Sequence, residues 1–246
     1  MSHELDRFLQ ESTRALESEL SRWMPASSLD GSEDLNRAIR YALFPGGKRM
    51  RPLFTLLATH TAGGNWRDAL PVACAVEYFH TCSLVLDDLP CMDGASERRG
   101  KRPTHLEFGE STAILAAVSL LNSSWGLLLR NDASPEGVAR TRRLVEEAAR
   151  CIGPDGIIGG QFLDLANRDG AGNAIPNLLK TASTTRFMLS SGAIVADAPD
   201  RVVETLADFG REIGSAYQML DDVIDREAGA RPGAGAPAAL PVDRAC

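Results

Sequence analysis

Residues 66–93 read WRDALPVACAVEYFHTCSLVLDDLPCMD. As far as Leu89 this run is apolar on several faces at once, which predicts a helix buried at the centre of a helical protein. The run ends in acid, at Asp87, Asp88 and, beyond Pro90, Asp93. Residues 218–225, QMLDDVID, repeat the pattern with Asp221, Asp222 and Asp225. Carboxylates beside apolar residues are costly unless something pairs with them. Two such clusters repel each other if the fold brings them together, and a bound dication reverses that sign. A few carboxylates, with water and phosphate oxygens completing the shell, suit Mg2+.

Outward from that stretch the chain reads as helices. Leu5, Phe8, Leu9, Leu16 and Leu20 recur at helical spacing and predict a helix over 4–23. A second starts near Ser32–Asp34, which supply N-cap chemistry, and stops at Pro45-Gly46-Gly47. An apolar stretch covers 53–58. Residues 94–110 read as a loop, basic in its first half. A second buried helix is expected over 111–129, and others over 135–152, 157–167, 176–196 and 199–227. A loop separates 169–173. The helix at 199–227 has the most regular seam: Val202, Leu206, Phe209, Ile213, Tyr217, Leu220 and Ile224. No segment alternates with period two, so the fold class is all-α. Residues 1–227 form the expected domain. Residues 228–246 turn abruptly to Gly, Ala and Pro and are expected to be disordered.

The chain of 246 residues is 44% hydrophobic and 24% charged, enough for a sizeable core and against wholesale disorder. A net charge of -7 argues against nucleic acid as a partner, because a phosphate backbone demands a basic footprint. Five cysteines without a C-x-x-C pair fit a reduced, cytoplasmic setting. The polar N-terminus carries no secretory pattern, and no uninterrupted apolar run reaches the roughly 18 residues of a membrane span. No stable membrane insertion is expected.

The acidic clusters gain meaning from their neighbours. On a helix Asp221, Asp222 and Asp225 share an arc of about 100°. Taken alone, such a triplet is as readily a solvated face. Asp93 is out of phase with Asp87 and Asp88 on a continuous helix, and Pro90 is expected to break the helix and return Asp93 to the pair. Arg98-Arg99-Gly100-Lys101-Arg102 follows closely, and acids beside bases fit a metal-bound polyanion, with arginine suited to forked contact with phosphate. Gly46-Gly47-Lys48-Arg49-Met50-Arg51 could cradle another phosphate, although helices often end in glycine near a base. His80 lies two turns before Asp87 on nearly the same face. A satisfied core histidine is the commoner outcome there.

Gly47-Lys48-x-x-Arg51-Pro52, the aspartates at 87, 88 and 93, Arg98-Arg99-Gly100, Gly160-Gln161-x-x-Asp164, Lys180-Thr181 and Gln218-x-x-Asp221-Asp222-x-x-Asp225 together resemble the trans-isoprenyl diphosphate synthases, the polyprenyl synthetase family. The resemblance covers roughly 35–226. It implies antiparallel helices around a central pocket, and Mg2+ held by Asp87, Asp88, Asp93, Asp221, Asp222 and Asp225. Arg98, Lys180 and Gln218 would assist on the allylic diphosphate side, and Thr181 would also bind substrate. Gly47, Lys48, Arg51, His80 and Arg99 would hold isopentenyl diphosphate. The implied reaction departs diphosphate from the allylic primer and joins the resulting cation to the isopentenyl double bond. A homodimer is the implied assembly.

In that family the residues four and five before the first aspartate face the shaft that takes the growing chain. Here they are Ser83 and Cys82, both small. Five residues of helix span about 7.5 Å, so an aromatic there would stop a lengthening tail. The resemblance is therefore closer to geranylgeranyl than to farnesyl diphosphate synthases, with a floor at Leu115 or Val118 as the deeper option. The chain departs from the family after Asp225, where a lysine-bearing segment and further helices are expected. Thr184 and Thr185 are also polar where the family runs apolar, and Pro103 stands one place late. The alternatives are a farnesyl diphosphate synthase, a truncated inactive or regulatory subunit, and a class I terpene cyclase.

Overall fold

The structure is a computed structural model that describes residues 2–130, 134–166 and 175–227; for residues 2, 175–178 and 221–227 the backbone alone is described. Ten α-helices follow in order among these residues: α1 (Ser2–Arg22), α2 (Glu33–Leu43), α3 (Met50–Thr61), α4 (Leu70–Asp87), α5 (Thr104–Phe108), α6 (Glu110–Leu128), α7 (Pro135–Ile152), α8 (Ile157–Ala166), α9 (Ile175–Val195) and α10 (Asp200–Glu227). The extended pairing among them is a single bridge between Arg98 and Lys101, so the all-α expectation holds. The expected loop at 169–173 and the expected tail at 228–246 lie outside the described residues.

The central helix is shorter than its apolar run. Residues 66–69 form a 3-10 turn, and Pro71 sits in the first turn of α4, where its missing N–H costs nothing. From Val72 to Phe79 every residue of α4 is buried. Tyr78 is fully buried and its hydroxyl donates to the Leu20 carbonyl on α1 at 3.1 Å. Leu16 and Leu20 are likewise sealed, each worth about 2 kcal/mol of burial.

Two helices differ from expectation in which face they bury. α6 packs on α4 through Ala113, Ala116, Ala117 and Leu120. Its other side leaves Ile114, Leu115 and Val118 between 40% and 57% exposed, so it is not a buried helix, and Leu115 and Val118 point outward and do not floor a pocket. α4 and α6 are each long and apolar enough to cross a membrane. Core helices pass the same test, and α4 is mostly buried. On α10 the regular apolar seam packs on the core only at its start, through Val202 and Leu206, and is not the face set against α9. Val203, Ala207, Gly210 and Gly214 are buried against α9, whereas Phe209, Tyr217 and Leu220 are more than half exposed. A Cβ at Gly210 would stand 2.5 Å from the Thr185 carbonyl, so only glycine allows this approach.

Smaller differences have local causes. The loop expected over 94–110 contains α5, one and a half turns after Pro103. Ser32 does not cap α2; its hydroxyl donates to the Leu29 carbonyl at 2.5 Å. Ser134 does cap a helix, accepting from the Gly137 amide at 3.1 Å ahead of α7, and Asn65 caps the 3-10 turn by accepting from the Arg67 amide at 3.2 Å.

α7, α9 and α10 are joined through a buried charge. Glu147 accepts from Arg186 Nε at 2.9 Å and Ser190 Oγ at 3.1 Å, and also pairs with Arg150. Arg186 reaches on to Glu204 of α10 at 3.2 Å. Burial pushes the Glu147 carboxyl up, but Arg150, Arg186 and Ser190 more than reverse this and hold it below the usual carboxylate range. Its contribution is thus present above the ordinary carboxylate pKa and lost as pH falls through the lower folded value. Glu147→Ala should cost about 3 kcal/mol at pH 7, because it removes the main partner of a buried guanidinium. The gap to wild type should narrow under acid. Urea unfolding followed by circular dichroism at pH 7 and in acid measures both; a loss under about 1 kcal/mol would mean Glu204 and Asp208 suffice for Arg186.

Candidate active site

The C-terminal end of α4 opens the site. Pro90 stops the helix and the chain doubles back, so that the Asp93 amide donates to the Asp87 carbonyl at 2.8 Å and the Gly94 amide to Leu89 at 3.0 Å. Asp93 therefore returns to the pair, as its sequence context implied. Asp87 is half-buried. Burial raises its carboxyl to about 6; Lys180 and Arg98 oppose the shift, while Asp93 and Asp88 add to it. Asp88 is only 3% exposed, and Arg98 donates to its Oδ1 from both Nε, at 2.8 Å, and Nη2, at 2.5 Å.

The basic segment is held to α2 by Lys101, which donates to the carbonyls of Tyr41 at 2.5 Å and Phe44 at 3.2 Å and lies 4.0 Å from the Tyr41 ring centre. This lysine closes the end of a helix, and Arg102 turns to the Leu106 carbonyl at 2.8 Å and to Glu107 at 3.5 Å, so the bases of this segment facing the site are Arg98 and Arg99.

The facing wall comes from α8, α9 and α10. Lys180 Nζ donates to Gln161 Oε1 at 2.8 Å and Asp164 Oδ2 at 2.5 Å. The Gly-Gln-x-x-Asp motif thus orients a lysine. Gln161 Nε2 is buried and has no hydrogen-bond partner among the described residues, a donor suited to an anion. Thr181 Oγ1 donates to Gln218 Oε1 at 2.9 Å, which ties α9 to α10. Thr184 and Thr185 turn their hydroxyls onto the Lys180 and Thr181 carbonyls, both at 2.8 Å, so their polarity is satisfied within α9.

A second cationic group forms around His80. Burial, followed by Arg51, Arg99, Arg98 and Arg49, holds the imidazole well below its usual pKa. Arg99 Nη2 lies 3.3 Å from His80 Nε2. A guanidinium only donates, so Nε2 accepts and the ring is neutral. Lys48 is exposed at the lip of this group.

Below Asp87 the helix faces separate the two small residues at the expected chain-length positions. At about 100° per residue, Ser83 lies on the side of His80 and Asp87, whereas Cys82 is turned far from it. Cys82 is 5% exposed and belongs to the core, where burial pushes its thiol up to about 12. Its expected place facing a shaft is therefore corrected to core packing. Deeper, Phe79 meets Trp125 of α6 edge-on at 5.3 Å and Phe187 of α9 at 6.0 Å between ring centres. Phe79 is eight residues before Asp87, about 12 Å down α4, and Phe187 is seven after Lys180, about 10 Å down α9. The two helices are thus drawn together by charge at one level and by aromatic rings two turns below, with Ser83 and Thr184 between. These three rings escape a motif search, since each stands alone in sequence.

Among the described residues no group of three His, Cys, Asp or Glu encloses a metal. Asp221, Asp222 and Asp225 stand in the last two turns of α10, and their side chains lie outside the described residues. What remains is an all-oxygen set, Asp87 at the end of α4 with Asp93 on the turn after it, in which burial and the nearby Asp93 raise the Asp87 carboxyl. A hard dication that keeps water and substrate oxygens fits those donors.

Comparison with known proteins places this geometry. The polyprenyl synthetase family model matches residues 32–231. The chain is 38% identical over 231 residues to a farnesyl diphosphate synthase of Bacillus subtilis, covering 92% of this chain and 77% of that protein. It is 39% identical over 201 residues to the mitochondrial geranylgeranyl pyrophosphate synthase 6 of Arabidopsis thaliana, covering 78% and 60%. The crystal structure of an FPP/GFPP synthase from Zymomonas mobilis superposes with a TM-score of 0.84 at 30% identity, over 94% of this chain and 84% of that one. The chain belongs to the polyprenyl synthetase family.

Proposed function

We propose that the protein elongates an allylic diphosphate with isopentenyl diphosphate and releases a C20 product, geranylgeranyl diphosphate. The observation that carries the length is the floor. On the Asp87 side of α4 the residue one turn down is the small Ser83, and the next bulky groups beneath it, His80 and Phe79, stand about 10 to 12 Å down. A block at the level of residues 82–83 would stand about 7 Å down, a turn or so higher. One isoprene unit, four carbon–carbon bonds of roughly 1.5 Å in zigzag, takes up about 5 Å. The deeper floor therefore admits one more unit than such a block would. The farnesyl diphosphate synthase among the relatives supports a C15 product as the second reading.

Asp87, Asp88 and Asp93, with Asp221, Asp222 and Asp225, would hold Mg2+. When bound, it supplies Lewis-acid neutralisation of the departing diphosphate. The chain's own residues do the rest. Arg98 and Lys180, each already oriented by a carboxylate, present fixed positive charge to that group, so little reorganisation is needed as charge develops. Gln161 Nε2 and the Thr181–Gln218 pair define the rim beside them. Arg51, Arg99 and Lys48 bind the isopentenyl diphosphate, and neutral His80 leaves those cations unopposed. The apolar wall from Leu84 to Phe79 keeps water from the growing tail.

We also propose that two copies pair through α5 and α6, where Leu106, Ile114, Leu115 and Val118 stand 40–57% exposed on adjoining turns. Exposed large apolar residues grouped on one helix arc, as Ile114, Leu115 and Val118 are, mark an interaction site.

The deciding assay supplies isopentenyl diphosphate, Mg2+ and dimethylallyl, geranyl or farnesyl diphosphate, and identifies the dephosphorylated alcohols by mass spectrometry. The expected alcohol is geranylgeraniol, with turnover lost on chelation and kcat/KM reduced about a hundredfold or more by Asp87→Ala. Phe79→Ala should lengthen the product and Ser83→Phe shorten it to C15. A C15 product from the wild type would retain the chemistry and remove the length assignment. A folded protein inert with every primer would favour the subunit reading. For the assembly, light scattering should give twice the chain mass, and Leu115→Glu with Val118→Glu should halve it. A monomeric wild type at micromolar concentration would end the pairing proposal.

A further inference from the structure

Arg49 stands among the bases of residues 46–51, where a loop leads into the first turn of α3, yet it behaves unlike its neighbours. Lys48 and Met50 are exposed, whereas Arg49 is 4% exposed. Its backbone is left-handed, at φ 52°, an unfavourable state for a residue with a Cβ. The guanidinium explains why that state persists. Nη1 donates to Glu77 Oε1 of α4 at 2.5 Å, and Nε to Glu17 Oε1 of α1 at 2.7 Å. Nη2 donates to the Leu43 carbonyl at the end of α2 at 2.9 Å. Glu77 is itself 2% exposed. One side chain thus fastens the loop to three helices at once.

The loop is built to fit between two such groups. A Cβ on Gly46 would stand 1.9 Å from Arg49 Cζ, and a Cβ on Gly47 would stand 2.9 Å from Arg99 Cζ. The glycine pair thereby lets one guanidinium fold under the loop and another lie over it. Beside the reading of these amides as a phosphate cradle, the glycines leave room for arginine. Glu77 is one helical turn before His80, so the anchor of Arg49 and the contact of Arg99 are on neighbouring turns of α4.

We propose that Arg49 is a positioning residue for isopentenyl diphosphate. Through Glu77 and Gly46 it sets the distance of Lys48 and Arg51 from His80 and Arg99. This rests on the reading, given above, of those four residues as the isopentenyl diphosphate site. Arg49 itself is turned away from the lip and touches no substrate. A lysine keeps the charge but cannot bond Glu77, Glu17 and Leu43 together, because it lacks the planar fork.

Calorimetric titration of the whole chain with isopentenyl diphosphate alone, and separately with geranyl diphosphate and Mg2+, tests this without requiring turnover. Arg49→Lys and Gly46→Ala should each weaken isopentenyl diphosphate about tenfold or more and leave geranyl diphosphate within about twofold. Glu17→Gln, on the more exposed side of the clamp, should have a smaller effect in the same direction. Circular dichroism on the same samples reports folding, and if Arg49→Lys does not fold, Gly46→Ala carries the same two outcomes. A folded variant that binds isopentenyl diphosphate like the wild type would show a structural staple and overturn the proposal, as would equal loss of both ligands. A wild type that binds geranyl diphosphate but not isopentenyl diphosphate would instead remove the site reading on which the proposal stands.

Discussion

α4 is buried on nearly every side, and that constrains where charge can exist on it. Only two places are tolerated. One is Glu77, matched inside the core by Arg49 at 2.5 Å. The other is the open end, where Asp87 and Asp88 meet Lys180, Arg98 and solvent. A buried carboxylate without a partner costs several kcal/mol, so the helix, the loop that supplies Arg49 and the helix that supplies Glu17 are obliged to assemble together. The loop that the arginine fixes also carries Lys48 and leads into the first turn of α3, which carries Arg51. A folding requirement and a binding requirement are met by one interaction.

The mouth itself is already paired. Asp88 holds Arg98, and Asp164 with Gln161 holds Lys180. Such pairs contribute little net stability, since desolvation offsets most of the attraction. Their consequence is geometric: long basic side chains that would otherwise sample many rotamers are held at one orientation. Asp87 is the exception, half-buried and crowded by Asp93 and Asp88, with its carboxyl raised to about 6. The acids at the mouth are thus not equivalent. Asp88 acts as a holder of arginine, and Asp87 and Asp93 are the pair whose repulsion a cation would relieve.

What the sequence disclosed depended on whether a feature was local. Helix positions followed from three- and four-residue spacing, and the return of Asp93 followed from Pro90, because both are decided within a few residues. The functional motifs were legible because they are short and distinctive. Arg49 was not, although it sits inside one of them. Its sequence context is that of an exposed base, and only the distant Glu77 and Glu17 make it a buried one. Cys82 failed for a related reason. Proximity in sequence to Asp87 was read as proximity in space, whereas one residue of helix turns a side chain through about 100°. The ring cluster of Phe79, Trp125 and Phe187 joins three helices and leaves no trace in any one of them.

α10 shows how far a hydrophobic pattern can mislead. Its apolar seam is the most regular in the chain, and a regular seam normally marks the packing face. The face against α9 is instead made of Val203, Ala207, Gly210 and Gly214. Small residues win there because they permit backbone approach. A Cβ at Gly214 would lie 2.2 Å from Thr185 Oγ1 and 2.9 Å from Ala182 Cα. That closeness is what allows Thr181 on α9 to reach Gln218 on α10 with a short hydrogen bond. Larger residues at 210 and 214 would bury more apolar area but separate the two helices and part Gln218 from Thr181. The helix gives up hydrophobic burial on this face in return for alignment of the two walls of the site, and the aspartates of its last turns inherit their position from that alignment.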